Sequence, residues 1–381
     1  MIALYIHLPW CVRKCPYCDF NSHTLQGALP EDDYLAALLA DLDVALPQIP
    51  GRTLTSIFIG GGTPSLFSAD GIGALLTGIR ARAPLIDDIE ITLEANPGTL
   101  DAGAEKLAAW RAAGINRLSL GIQSFCDAHL ASLGRIHDRD AALQAASDAA
   151  RHFGRVNLDV MYGLPNQTLA EALLDVETAL VFSPEHLSCY QLTLEANTRF
   201  AAHPPPLPEA DICADMNDAI AARLAAAGFA HYETSAFARP GCACRHNLNY
   251  WRFGDYLGLG AGAHSKISRC SETGEWQLVR EARWRHPGAY LRAVAAGNAV
   301  HTARIIPARE LPFEFLMNAL RLTEGFTPSS YEQRTKLPFA ALLPRLQSAA
   351  KAGLLHVQTD RVAPTSLGRN FLNRLLVDFL D

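Results

Sequence analysis

Tyr5-Ile-His-Leu-Pro-Trp-Cys11-Val-Arg-Lys-Cys15-Pro-Tyr-Cys18-Asp-Phe-Asn-Ser-His23 places three cysteines within eight residues, directly behind a short apolar run, Leu4–Leu8, that reads as a strand. Thiolates spaced CxxxCxxC can converge on one metal site. A structural zinc site is normally closed by four ligands, often two separated pairs. The only other close pair is Cys242-Ala-Cys244, whose spacing differs. Zinc and an inert trio of thiols remain the competing readings at this point. A 4Fe–4S cluster usually takes four thiolates, so three leave one iron with an open position that a small molecule can fill.

Working outward, strand-like and helix-like segments alternate. Strand candidates are Leu4–Leu8, Ser56–Ile59, Glu90–Leu93, Arg117–Gly121, Asn157–Tyr162 and Leu187–Leu192. Helical stretches lie between them at Asp33–Leu46, Gly71–Arg82, Ala102–Ala112, Arg139–His152 and Leu169–Phe182. This rhythm predicts an α/β fold with a parallel sheet. Six such units suit a partial (β/α)6 barrel; a doubly wound sheet is the rival, and the pattern alone does not separate them. The rhythm breaks at Pro204-Pro205-Pro206, and a helix is expected over Asp211–Ala227. Tyr256 to His264 is glycine-rich and is expected to turn tightly. Beyond Ile306, helices at Glu310–Leu322, Phe339–Ala352 and Leu367–Phe379 and a hairpin of Leu354–Val357 with Arg361–Pro364 suggest a small winged-helix-like α+β domain. The expected division is 1–235 for the barrel, 236–305 for a connecting region and 306–381 for the terminal domain.

The 381 residues are 49% hydrophobic and 19% charged, which describes a globular chain with a sizeable core. A net charge of −6 offers no basic face, so no nucleic-acid partner is expected. No run of apolar residues is long enough to span a bilayer. The first residues show no basic start or cleavage site, so a cytoplasmic chain is expected, with peripheral membrane contact left open. Nine cysteines, three of them clustered, favour metal binding over a disulfide framework.

Several polar residues fall where parallel strands end, which in β/α barrels is where the site lies. Glu94 ends the third strand, Gln123 the fourth, and Asp159 lies in the fifth. Gly60-Gly61-Gly62-Thr63-Pro64 follows the second, and consecutive glycines allow a backbone to approach a ligand. Arg135 sits nearby in Leu-Gly-Arg-Ile-His, and Tyr5 and Tyr17 flank the cysteines in sequence.

The segment Tyr5–His23 as a whole resembles the radical S-adenosylmethionine superfamily. That resemblance implies a 4Fe–4S cluster on Cys11, Cys15 and Cys18, with S-adenosylmethionine chelating the free iron through its amino and carboxylate groups. In that family one electron then cleaves the sulfonium to a 5′-deoxyadenosyl radical. It also implies that Gly61, Gly62 and Thr63 meet the methionine amino group, that Arg135 suits its carboxylate, and that Glu94, Gln123 and Asp159 suit its ribose. Further segments extend the resemblance over most of the chain: Ile57–Leu66, Glu94–Thr99, Ser119–Phe125, Leu133–His137 and His246–His264. They are similar to the branch that holds oxygen-independent coproporphyrinogen III dehydrogenases and their haem-chaperone relatives.

Two features divide that branch. The dehydrogenases carry a further cysteine where this chain has Phe20, and the chaperones have phenylalanine there. His246-Asn247-Leu248-Asn249-Tyr250-Trp251 matches the HNxxYW motif of the chaperones. Histidine is a common axial ligand of haem iron and aromatic rings pack on a macrocycle, so the resemblance implies haem contact by His246, Asn247, Tyr250 and Trp251, with His264 a second candidate. The expectation is a haem chaperone that uses its cluster and S-adenosylmethionine in support and delivers haem to acceptors such as respiratory haemoproteins. No coproporphyrinogen oxidase activity is expected; radical decarboxylation of coproporphyrinogen III is the alternative. Membrane-associated acceptors and a homodimer stay open.

Overall fold

The computed structural model describes residues 1–100 and 103–380. Six parallel strands form its centre: β1 (Ile2–Leu8), β2 (Leu54–Gly61), β3 (Leu85–Ala95), β4 (Arg117–Gln123), β5 (Val156–Tyr162) and β6 (His186–Gln191). Each lies beside the next in chain order, as expected of a partial barrel and not of a doubly wound sheet. One edge continues into β7 (Ala230–Glu233) and β8 (Ala236–Ala238). The other continues into β9 (Tyr256–Leu259), β10 (His264–Cys270), β11 (Trp276–Arg283) and β12 (Val300–Ile305). The twelve strands run in the order β12-β11-β10-β9-β1-β2-β3-β4-β5-β6-β8-β7.

The alternation along the central strands explains how they sit. Leu4 and Ile6, Ile57 and Ile59, Ile91 and Leu93, Leu118 and Leu120, and Leu158 and Val160 point outward and are buried in the main core. The helices Glu31–Ala45, Ala69–Arg80, Gly103–Ala113, Arg139–His152 and Leu169–Val181 cover them. Residues of the opposite parity face inward and are mostly polar: Ser56, Glu90, Glu94, Arg117, Ser119, Asn157, Asp159 and His186. A parallel sheet is covered on both faces. Here the apolar cover is outside, and the inside is left for chemistry.

The lower, amino-terminal end of the barrel is closed by a helix, Arg245–Trp251, that periodicity had not revealed. Its entry is pinned by Glu90, whose Oε1 accepts from the His246 backbone N–H at 3.1 Å and from Cys244 Sγ at 3.4 Å. Arg155 pairs with the same carboxylate at 2.9 Å and donates to the carbonyls of Cys242 and Ala243. The terminal region has its own core of Phe315, Leu346, Leu375 and Phe379, joined by Phe253, Leu278 and Ile306 from the sheet side. It also reaches the far edge: Thr323 N–H donates to the Tyr232 carbonyl, and Arg321 pairs with Glu233 at 3.3 Å. It therefore spans the gap between the two sheet edges.

Three expectations need correction. The glycine-rich stretch from Tyr256 is first a strand, β9, parallel to β1, and only Gly260–Ala263 turns. Its Gly258 passes so close to β10 that a Cβ there would lie 2.1 Å from the His264 carbonyl oxygen. The last helix is two pieces, Ser366–Asn370 and Leu372–Val377, broken at Phe371. A helix at Pro328–Thr335 was not foreseen. Ala102, the first residue of one expected helix, lies outside the described residues; the helix is seen from Gly103.

A buried link ties the first helix to β11. Asp41 lies 3.3 Å from Arg283 Nη2 and accepts from the Tyr290 hydroxyl at 2.9 Å, with both charged side chains 1% exposed. Removing Asp41 takes away one of the two carboxylates on Arg283 and the acceptor of the Tyr290 hydroxyl, so Asp41→Ala should cost about 2 kcal/mol in denaturant unfolding. A loss below about 1 kcal/mol would show that Arg283 is satisfied by Glu281 and Ser265 alone.

Candidate cofactor site

The cysteine loop leaves the top of β1 and is stitched down on both sides. Trp10 and Cys11 form a two-residue parallel ladder with His23 and Thr24. The N–H groups of Gly62 and Thr63 donate to the carbonyls of Leu8 and Trp10, each at 2.8 Å. That contact demands glycine, because a Cβ on Gly62 would lie 2.6 Å from the Trp10 carbonyl oxygen. The Trp10 ring is anchored edge-on against Tyr34 at 4.7 Å. Lys14 donates to the carbonyls of Phe20 and Ser22, and Asn21 donates to those of Ala261 and Arg285.

Cys11, Cys15 and Cys18 thereby face one cavity of about 320 Å³. The same cavity is lined by Tyr17, Gly61, Gly62, Thr63, Glu94, Gln123, Arg135 and Asp159. Among the described residues no three His, Cys, Asp or Glu groups gather closely enough to hold a single metal ion. In a cuboidal cluster each thiolate binds a different iron, and the ligands stand correspondingly further apart. Burial pushes the thiols of Cys11 and Cys18 up from their ordinary range, so bare thiolates are disfavoured there until a metal group takes up the charge.

The polar residues at the strand ends are held individually. Glu94 accepts from the Gly61 N–H at 3.1 Å; burial, then the nearby Asp159, pushes its carboxyl up to about 7. Asp159 accepts from Asn157 Nδ2 at 2.8 Å and from the Ser119 hydroxyl. Asn157 in turn accepts from His186, whose other nitrogen accepts from the Tyr232 hydroxyl. Gln123 turns inward through a left-handed residue, φ +70°, at a register slip between β4 and β5. Its Oε1 accepts from the Tyr190 hydroxyl at 2.7 Å. Arg135 donates through Nη2 to the Gly121 carbonyl, while its buried Nε has no partner. An unpartnered donor beside three thiols and two buried carboxyls fits a cluster with a zwitterionic ligand. Cys11, Cys15 and Cys18 would hold the irons, and the strand-end groups the ligand.

Not every expected residue is here. Tyr5, though near the cysteines in sequence, points into the barrel below the cavity wall, because its parity on β1 matches Phe58 on β2. Its hydroxyl donates to His7 Nδ1, and His7 Nε2–H donates to the Asn21 carbonyl. His246 lies at the opposite end from the cysteines and is only 2% exposed. Its Nδ1 is bonded to the Ser56 hydroxyl at 2.9 Å, its ring lies between Phe58 and Tyr250, and its Nε2 has no partner. Tyr250 packs on Tyr256, and Trp251 lies under the Arg321 guanidinium. Asn247 is half-buried on the same helix, and His264 is exposed at the start of β10. Sequence reasoning missed Arg13, Ser22, Ser119, Met161, Tyr190 and the rim of Leu192, Thr193 and Glu195. The inward parity of Ser119, Met161 and Tyr190 was the available signal.

Residues 5–179 match the family model described as the radical SAM superfamily, and residues 306–371 match the HemN C-terminal domain. A protein of Escherichia coli named heme chaperone HemW is 46% identical over 100% of this chain and 98% of its own length. One of the same name from Haemophilus influenzae is 47% identical, again over 100% and 98%. The solved structure of coproporphyrinogen III oxidase (HemN) from Escherichia coli superimposes with a TM-score of 0.82 at 25% identity, covering 99% of this chain and 89% of that one. The chain belongs to the radical SAM superfamily and, within it, to the family of proteins named heme chaperone HemW. Membership of that superfamily implies a 4Fe–4S cluster and S-adenosylmethionine.

The burial of His246 has a pH consequence. Burial, then the Arg117 charge, lowers its pKa to about 3, against about 6.5 when unfolded. Between those values the unfolded chain binds the extra proton, so stability falls as pH drops from about 6.5 toward 3. His7 and His137, lowered to about 4, act the same way. Thermal unfolding of His246→Gln should therefore fall less steeply between pH 6.5 and 4 than that of the parent. Parallel pH profiles would show that the ring is not held neutral.

Proposed function

We propose that this chain is a haem carrier that binds a 4Fe–4S cluster and S-adenosylmethionine and passes haem to acceptor proteins, respiratory haemoproteins among them. The observation that carries the reading is the end-to-end likeness to proteins named heme chaperone HemW. Phe20, on the rim of the cysteine cavity where a dehydrogenase has a further cysteine, supports it. The cluster rests on Cys11, Cys15 and Cys18. S-adenosylmethionine is held by Gly61, Gly62, Thr63, Glu94, Gln123, Arg135 and Asp159, with Tyr17 against it. The cluster supplies an electron when loaded; the chain's own groups orient the ligand and exclude water.

For haem, the closed helix Arg245–Trp251 sets a condition. His246 can offer its free Nε2 to iron only once that helix leaves the barrel mouth, together with Asn247, Tyr250 and Trp251. Gly241, with φ +79°, and Phe253, with φ +52°, flank it. In the closed form the exposed His264 is the accessible alternative. The working division is a barrel over 1–235, a haem-motif and connecting region over 236–305 and a terminal domain over 306–381. Acceptors at a membrane call for a cytoplasmic protein that associates peripherally, and pairing of two copies belongs to the same proposal. Among the described residues no helix is long and apolar enough to cross a membrane.

Haem should titrate to about one per chain, as a single axial histidine requires. His246→Ala should shift or abolish the Soret band, and His264→Ala should leave it. The reverse pattern would place the ligand on β10. Given coproporphyrinogen III, reductant and S-adenosylmethionine, the loaded protein should form no protoporphyrinogen; efficient turnover would overturn the carrier reading. Separately, Glu94→Ala should weaken S-adenosylmethionine binding by about 1.5–3 kcal/mol, the scale of a hydrogen bond to a charged group. Unchanged affinity would remove Glu94 from the site.

A further inference from the structure

We infer that Arg135 is a positioning residue for the cluster as well as for its ligand, raising the cluster's reduction potential through Cys15. The inference rests on the reading that Cys11, Cys15 and Cys18 hold the irons. Each of these sulfurs has a side-chain donor. The Ser22 hydroxyl lies 3.7 Å from Cys18 Sγ, and the Thr63 hydroxyl reaches Cys11. Arg135 Nη1 lies 3.7 Å from Cys15 Sγ and is the only charged donor of the three.

Two further contacts hold Arg135 there, one through its guanidinium and one through its backbone. Nη2 donates to the Gly121 carbonyl at 2.7 Å, and the Arg135 carbonyl accepts from Arg13 Nη2 at 3.0 Å. Arg135 is thus strapped to β4 on one side and to the cysteine loop on the other. Among the described residues no Asp or Glu forms an ion pair with it, whereas Arg155, Arg283 and Arg321 each have one. A half-buried cation without a carboxylate calls for an anion, and the Cys15 sulfur lies 3.7 Å from it.

A cluster with three thiolates becomes one charge more negative when it takes up an electron. A cation and hydrogen-bond donor at a ligand sulfur favours that reduced state, since the potential follows net charge and hydrogen bonds to the sulfurs. The free Nε remains for a ligand carboxylate, so the two roles use different edges of one guanidinium.

The test is a redox titration of the reconstituted full chain, followed by paramagnetic resonance without S-adenosylmethionine. Arg135→Gln should disfavour one-electron reduction about tenfold, a fall of about 59 mV for a single electron. Thr63→Val, which removes a neutral donor, should move it less. If the Gln variant takes up no cluster, Arg135→Lys decides: it keeps the charge but loses the two-headed grip, and should disfavour reduction about threefold. An unchanged potential in the loaded variant, with a defect appearing only when S-adenosylmethionine is added, would overturn the inference and leave Arg135 a ligand contact alone. A wild-type chain that accepts no iron or sulfide would remove the cluster reading and the inference together.

Discussion

The short parallel ladder between Trp10–Cys11 and His23–Thr24 is the constraint on which the site depends. Three thiols on eight residues of free loop would sample many arrangements, and ordering them on a metal would cost conformational entropy at each residue. The ladder, the carbonyls of Leu8 and Trp10 capped by Gly62 and Thr63, and the lysine and asparagine clamps remove most of that freedom beforehand. None of these contacts is with the thiols themselves. The loop is shaped by backbone bonds to β1 and β2, which leaves the sulfurs turned toward the cavity.

The same logic runs through the barrel. Its outward face is aliphatic and packs under helices, so stability comes from outside. Its inward face carries Glu94 and Asp159 above and Glu90, Arg117 and His246 below. Glu90 at the lower end accepts from the entry of helix Arg245–Trp251, which seals the mouth opposite the cysteines. The three cysteines and His246 therefore stand at opposite ends of one polar interior. The terminal domain holds Trp251 of that helix through Arg321.

Much of this was legible in the sequence, for definable reasons. The six central strands and the helices between them stand out because apolar runs bounded by turn residues repeat with a regular spacing. The cysteine spacing and the strand-end Glu94, Gln123 and Asp159 were readable because β/α barrels put function at carboxyl ends. What lay hidden was tertiary. Tyr5 and Tyr17 both stand close to the cysteines in sequence, yet strand parity turns Tyr5 down toward Phe58 while Tyr17 lines the cavity. The buried position of His246 follows from Glu90, 156 residues away, and no local pattern reports it. β9 was obscured by glycines that serve close strand approach at Gly258 as well as turning.

The central claim is that three cysteines leave one iron open and that this iron takes the methionine end of S-adenosylmethionine. Electron–nuclear double resonance on the reduced cluster, with the amino nitrogen of S-adenosylmethionine labelled with nitrogen-15, measures that bond directly. The account predicts a nitrogen-15 hyperfine coupling of the size expected for an atom bound to iron, lost when Cys15 is replaced by alanine. A reduced cluster that shows no coupling to the label, with S-adenosylmethionine bound at saturation, would contradict it.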